Sequence, residues 1–401
     1  MALLSVAEAL ACVTEGIVPL EAERVALDQA VGRVLAEDLA ATLTQPPFDA
    51  SAMDGYAVRA KDVAALPAKL KLVGHSSAGA GFKGRVSQGE AVRIFTGAPV
   101  PDGADTIVIQ EEAVEASGIV TVKDAEPGRH IRPRGQDFGQ GELLLSAGTR
   151  LGARALMLAA AMNHAELSVR RKPKVAILAT GDEVVPPGSE LGADQIVSSV
   201  PSGLAALIED QGGDPMRLGI AKDDAESIVT LARSGSAADI LLTIGGASVG
   251  ERDLVASALK SEGLELEFWK VAMRPGKPLL YGRLGSQRVL GLPGNPVSAL
   301  ICAHVFLKPM LSKMLGLAVR ERPMPEAILG AAIEANGERE HYVRAVSTWR
   351  EDGTRVVSSL PSQDSSLLAA LANADCLIVR QPRAPALGPG AKVSIVPLER
   401  D

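Results

Sequence analysis

Five residues, Ile240 to Ile244 (ILLTI), constrain the fold of this chain more than any other stretch. Four of them are apolar, strand formers dominate, and Gly245-Gly246 close the run at once. So short a run suits a strand buried on both faces, as in a parallel sheet. Gly245, Gly246 and Gly250 then fall within six residues. Glycine tolerates positive φ, so such a turn brings bare backbone N–H groups close to a ligand. Ser248 adds a hydroxyl, and Glu251 and Asp253 add carboxylates. A loop that cradles an anion and carries acids suits a phosphate held with a divalent metal. A plain strand-to-helix turn with solvated acids accounts for the same residues about as well.

The flanking sequence reads as a doubly wound α/β domain. A strand at 174–179 ends in Thr180-Gly181-Asp182-Glu183, and a helix is expected at 201–211. A strand at 216–220 precedes a helix at 224–234. Strands at 268–273 and 279–283 flank Arg274-Pro275-Gly276-Lys277-Pro278. The last strand, 288–292, leads into Pro293-Gly294-Asn295-Pro296. Asn295 as N-cap and Pro296 at the first helical position start a long helix to about Leu315. Ligands of an open parallel sheet bind beyond the carboxyl ends of its strands. The turns TGDE, GGASVG and LPGNP all follow strands at that edge, though each has a purely structural explanation when taken alone. Arg274 and Lys277 supply positive charge, and Asp182, Glu183 and Asp253 supply oxygen ligands for a metal. There is no dinucleotide fingerprint, no P-loop and no nucleophile elbow.

Upstream, Ser5 and Glu8 form a capping box for a helix to about Gly16, and a second helix is expected at 28–39. The stretch 45–59 (QPPFDASAMDGYAVR) is a loop, since Pro46-Pro47 forbids helix. It gathers Asp49, Ser51 and Asp54, although Asp54-Gly55 alone reads as a hairpin turn. From 69 to 145 the pattern is β. Two of its turns carry chemistry: Thr96-Gly97-Ala98-Pro99, and 129–138 (RHIRPRGQDF), where Arg129, Arg132 and Arg134 lie beside Asp137. Those arginines form either a solvated strand edge or a local anion site. The apolar stretch 151–162 is too short to span a bilayer and contains Arg154, so it is a core helix. After a linker at 320–325, about five short strands and the polar turn PSQDSS (361–366) suggest a small β-barrel or sandwich.

The expected architecture is thus multidomain, α/β plus β. Residues 1–172 form an N-terminal unit with helical segments and an inserted β domain at about 45–145, 173–318 the α/β domain, and 322–401 the C-terminal β-barrel. A formal net charge of −7 argues against nucleic acid as a partner. Three distant cysteines, Cys12, Cys302 and Cys376, have no metal or redox spacing and read as buried reduced thiols of a cytoplasmic protein. The N-terminus has no basic region of a signal peptide, and no membrane contact is expected.

PPFDASAMDGYAVR, TGAPVPDGADTIV, RPRGQDF, TGDE, GGASVGERD, RPGKP and GLPGNPVSA occur in this order. Together they resemble the molybdopterin molybdenumtransferase (MoeA) family, which includes the E-domain of gephyrin. The resemblance runs over nearly the whole chain. It implies a homodimer with a site shared between subunits, and a reaction that inserts molybdate into adenylylated molybdopterin with release of AMP, assisted by Mg2+. It also implies a molybdopterin-binding α/β domain, and contacts with a molybdopterin adenylyltransferase and with molybdoenzymes as expected partners. Catalytic positions carried over are Asp54, Asp137, Asp182, Glu183, Asp253 and Lys277. Binding positions are Thr96, Gly245, Gly246, Ser248, Arg274, Pro293, Gly294, Asn295 and Pro296, and the metal ligands are Asp182, Glu183 and Asp253. The chain departs from the family pattern at Arg274 (usually Lys), Gln136 (usually Glu), Ser198-Ser199 (usually Asn-Ser) and Ser365-Ser366, where a His is frequent. The alternatives are a non-catalytic scaffold like the gephyrin E-domain and an enzyme acting on another nucleotide pyrophosphate.

Overall fold

In the computed structural model, which describes residues 3–246, 254–318 and 324–398, the apolar run forms the strand Ile240–Ile244 with every residue buried. It lies third in a six-stranded sheet ordered Asp214–Ala221, Lys174–Thr180, Ile240–Ile244, Gln287–Leu292, Pro278–Leu284, Glu265–Lys270. The first four strands run parallel and the last two pair antiparallel. Ile240, Leu242 and Ile244 face one core, shared with the helices Val6–Thr14, Val200–Asp210 and Pro296–Cys302. Leu241 faces the opposite core, under the helices Ala225–Ser234 and Leu254–Ser261. Helices on both faces leave the strand no solvated side, hence its lack of alternation.

The chain divides into two compact units. One comprises Met1–Glu23, Gly32–Ala36 and Val169–Asp401, and the other Arg24–Val31 and Glu37–Ser168. The first holds the parallel sheet and also a closed five-stranded barrel. Around the barrel run Glu340–Trp349, Arg355–Ser359, Glu326–Leu329, Lys392–Pro397 and Cys376–Arg380, the last pairing back onto the first. Its interior is packed with Ala327, Leu329, Val343, Ala345, Val357, Ile378 and Ile395. The short strand Met273–Arg274 pairs in parallel with Glu340 and His341.

Ser5 and Glu8 make the expected capping box on Val6–Thr14. The far end of that helix is capped by cations. Arg288 donates to the carbonyls of Val13 and Glu15, and Lys313 to that of Thr14, as the negative end of a helix dipole favours. The helix begun by Asn295 runs to Met314 through a π turn, Ala303–Leu307, next to Pro309, which has no N–H to continue the ladder. Pro296–Met314 is long and apolar enough to cross a membrane, yet Val297, Ile301, Phe306, Leu307 and Met310 lie in the unit's own core.

In the second unit six strands pair in the order Thr106–Ile109, Gly55–Val58, Glu90–Ile94, Ala68–Ser76, Ile119–Val122, Ala113–Ala116, and the helix Ala153–Ala161 follows. The helix expected at 28–39 is absent. A 3-10 turn, Leu27–Gln29, and the strand Leu39–Ala40 take its place. Val31, Val34 and Leu35 have helical spacing, but Gly32 sits at φ +74°, which ends any right-handed helix. The backbone at Val34 and Leu35 pairs with Arg170 and Val169 instead. Cys302 and Cys376 are buried free thiols as expected, whereas Cys12 is half-buried and donates to Glu267.

Candidate active site

Three strands of the parallel sheet end together, at Thr180, Ile244 and Leu292. Each hands over to a turn containing glycine. Gly245 has φ +87°, and a Cβ there would stand 2.9 Å from Thr180 Oγ1, so only glycine brings the chain this close. Gly245 N–H donates to the Leu292 carbonyl at 3.2 Å, and Gly294 packs against Gly245 from the other side. The three turns frame a cavity of about 970 Å³.

The cavity wall contains six of the catalytic and binding residues expected from the sequence, Glu183, Gly245, Gly246, Gly294, Asn295 and Pro296, together with Ser198 and Ser199. Asn295 caps its helix by backbone position alone. Its side chain makes no cap hydrogen bond, and Oδ1 is buried without a partner among the described residues. A buried acceptor left unpaired costs stability unless a ligand or a cation satisfies it. The Glu183 carboxylate lies back against Gly181, where a Cβ would meet its Oε2 at 2.8 Å. Val184, Ile196, Val197, Val200, Leu254 and Val255 supply an apolar wall suited to a flat ring. Three of these, Val184, Ile196 and Val197, belong to a small parallel flap, Val184–Val185 with Ile196–Val197, pinned where Ile196 N–H donates to the Glu183 carbonyl at 2.8 Å.

Asp223 and Ser366 also line this cavity; Asp223 was not selected from the sequence, and Ser366 was noted only as a departure from the family pattern. Asp223 follows the strand Asp214–Ala221 at the same sheet edge, so the strand-end rule would have found it. Ser366 arrives from the barrel on the PSQDSS turn. Its hydroxyl donates to Asp364 Oδ1 at 2.7 Å, and Arg344 grips the turn through the carbonyls of Ser362, Asp364 and Leu367. The Ser366 backbone and hydroxyl hold the Asp364 carboxyl below its usual range.

Other expected residues lie elsewhere in the first unit. Asp182 turns aside, accepting from Asp223 N–H at 3.2 Å, and lines a neighbouring groove with Lys222. Arg274 and Lys277 are exposed on the RPGKP loop and do not line the cavity, and neither does Pro293. Ser248 and Asp253 fall outside the described residues. Among the described residues no three His, Cys, Asp or Glu side chains cluster as a ready-made metal site.

In the second unit Asp54 and Thr96 meet. Thr96 donates to Asp54 Oδ1 from its N–H at 2.7 Å and from its hydroxyl at 2.8 Å. These bonds, with added attraction from Arg93, hold the Asp54 carboxyl below its usual range. Asp137 is exposed, and its N–H donates to the Gln45 carbonyl at 3.1 Å.

Comparison with known proteins covers nearly the whole chain. Residues 4–163 match the MoeA N-terminal region (domain I and II), 176–313 a probable molybdopterin binding domain, and 326–398 the MoeA C-terminal region (domain IV). A protein of Haemophilus influenzae named molybdopterin molybdenumtransferase is 34% identical over 383 residues, covering 94% of each chain. Its namesake from Bacillus subtilis is 32% identical over 369 residues, covering 90% of this chain and 86% of its own. The crystal structure of a molybdopterin biosynthesis MoeA protein from Pyrococcus horikosii superposes with a TM-score of 0.84 at 30% identity, covering 100% of both chains.

Proposed function

The chain belongs to the MoeA family of molybdopterin molybdenumtransferases, enzymes of molybdenum cofactor biosynthesis, and from that premise we propose that it inserts molybdate into adenylylated molybdopterin and releases AMP. The observation that carries this reading is the cavity at the carboxyl edge of the parallel sheet. There a glycine cradle, a helix N-terminus, an unpaired Asn295 acceptor and acids stand beside an apolar wall.

Gly245, Gly246 and the first turn of the helix at Pro296 bind phosphate through backbone N–H groups, with Ser248 adding a hydroxyl. The apolar flap takes a ring of the substrate. Asp54, Thr96 and Asp137 act on the same substrate from a partner subunit, so the working form is a cytoplasmic homodimer. Arg274 and Lys277 raise the local concentration of molybdate through their charge. The chemistry needs no side-chain nucleophile, since the sulfur ligands and the leaving AMP both belong to the substrate.

Mg2+ asks for only one or two protein carboxylates, because substrate phosphates and water fill its other positions. Glu183 and Asp223 on the cavity wall, beside the unpaired Asn295 Oδ1, fit that modest demand. Asp182 and Asp253 are the further carboxylates assigned to it. When bound, the ion neutralises charge on the phosphoanhydride as it opens.

The test is assembly in vitro from the purified chain, adenylylated molybdopterin, molybdate and Mg2+. AMP release coupled to appearance of the molybdenum cofactor supports the reading. Absence of both, with a folded protein, refutes it.

A further inference from the structure

The β sheet of the second unit carries a cation that makes no direct ion pair among the described residues, the Asp54 carboxylate attracting it only at a distance. Arg93 lies on the strand Glu90–Ile94, directly opposite Tyr56. Its guanidinium carbon stands 4.9 Å from the centroid of the Tyr56 ring and 5.2 Å from that of Phe95. One terminal nitrogen donates to Gln110 Oε1 at 2.7 Å. Gln110 N–H donates to the Asp54 carbonyl at 3.1 Å, and Asp54 Oδ1 takes both donors of Thr96. Arg93, Gln110, Asp54 and Thr96 are therefore one connected network.

A guanidinium held by rings and one amide is set in orientation but far from saturated. It has five N–H donors, and the described residues use one. Contact with two rings fixes its plane at little further entropic cost. The remaining edge is the fork that matches a phosphate oxygen pair. Arg93 is half-buried, and Phe95 beside it is 39% exposed, so the edge is open to a ligand.

We propose that Arg93 is a substrate-binding residue that grips a phosphate of the adenylylated pterin on the same face as Asp54 and Thr96. This rests on the reading above that Asp54 and Thr96 meet that substrate. The competing role is a structural clamp that only holds Tyr56 and Phe95.

The test measures the affinity of the full-length protein for adenylylated molybdopterin by equilibrium dialysis without molybdate, alongside turnover and thermal unfolding. Arg93→Gln should weaken binding about ten- to a hundredfold, the loss of one charge-assisted pair. Arg93→Lys should recover part of it, as charge without the fork. Raising salt should weaken binding to the wild type more than to Arg93→Gln. The KM for molybdate should not change. Equal affinity in wild type and Arg93→Gln overturns the proposal. So does an equal loss in both variants accompanied by a lowered Tm, which marks a clamp. A wild type that binds the nucleotide without turning it over refutes the proposed reaction, while the affinity comparison still decides Arg93. A wild type that does not bind it at all removes both.

Discussion

Arg344, buried in the barrel wall, donates from Nη2 to the carbonyl of Asp364 at 2.8 Å and so fixes the turn that carries Ser366 to the cavity. The same guanidinium reaches the carbonyls of Ser362 and Leu367, while Gln363 bonds the Arg344 backbone in both directions. Arg344→Met would strip the side-chain donor from all three carbonyls, those of Asp364 and Leu367 keeping one backbone N–H each, and should cost about 2–4 kcal/mol in urea unfolding. Arg344→Lys should rescue little, because an ammonium cannot span three acceptors set in a fork. An unchanged unfolding midpoint in Arg344→Met would show that the turn holds itself.

Two histidines, buried His304 and half-buried His341, make stability depend on pH. Burial pushes His304 down to about 4, with Lys308 adding repulsion and Asp210 opposing it; its Nδ1 has no hydrogen-bond partner among the described residues. Burial also pushes His341 down to about 4, reinforced by Arg274, Arg339, Arg344 and Arg380. Both are neutral when folded and gain a proton more easily when unfolded. Their contribution is present above the unfolded value near 6.5 and is lost as pH falls towards 4. For His304 the swing is about 3 kcal/mol across that window. Unfolding free energies measured from pH 7 to 4 should fall, and His304→Leu should flatten the fall. An identical slope in that variant would remove His304 as a cause.

What could be read from the sequence was whatever local chemistry decides. The burial of Ile240–Ile244 on both faces, the capping box at Ser5 and Glu8, and the helix start at Asn295-Pro296 all came through unchanged. The helix at 28–39 failed because one left-handed glycine outweighs apolar spacing. Asp223 was within reach of the strand-end rule, whereas the placing of Ser366 and the Ile196–Val197 flap on the cavity wall was not, because segments distant in sequence bring them there. Arg274 and Lys277 mark the converse case, since residues that share a sign and a loop need not reach the wall where their charge was assigned. The network of Arg93 shows a third limit. Cross-strand register, invisible in one dimension, seats it on Tyr56.

The RPGKP loop depends on a close approach of Gly276 to Cys302. Gly276 has φ +102°, and a Cβ there would overlap Cys302 Sγ and crowd Met273. Gly276→Ala should destabilise by about 3 kcal/mol, from left-handed strain and overpacking together. Cys302→Ala removes the sulfur and should make the alanine at 276 less costly, though it opens a small cavity of its own. A double-mutant cycle by chemical unfolding should therefore give a coupling of at least about 1 kcal/mol. Strict additivity would show that backbone strain alone excludes a side chain at 276.

The shared-site proposal predicts that two dead variants rescue each other. Asp54 belongs to the second unit and Glu183 to the first, and in a two-fold dimer every site would draw one from each chain. Asp54→Ala spoils one half-site and Glu183→Gln the other, so either homodimer should be inactive. In a mixed dimer both lesions fall in the same site and leave its twin intact. Random re-pairing makes about half the dimers mixed, each with one working site of two, so activity should return to roughly a quarter of wild type. Native mass spectrometry can verify the exchange independently of turnover. With mixed dimers present and no activity recovered, the two residues would have to act within a single chain, and the subunit-shared site would be wrong.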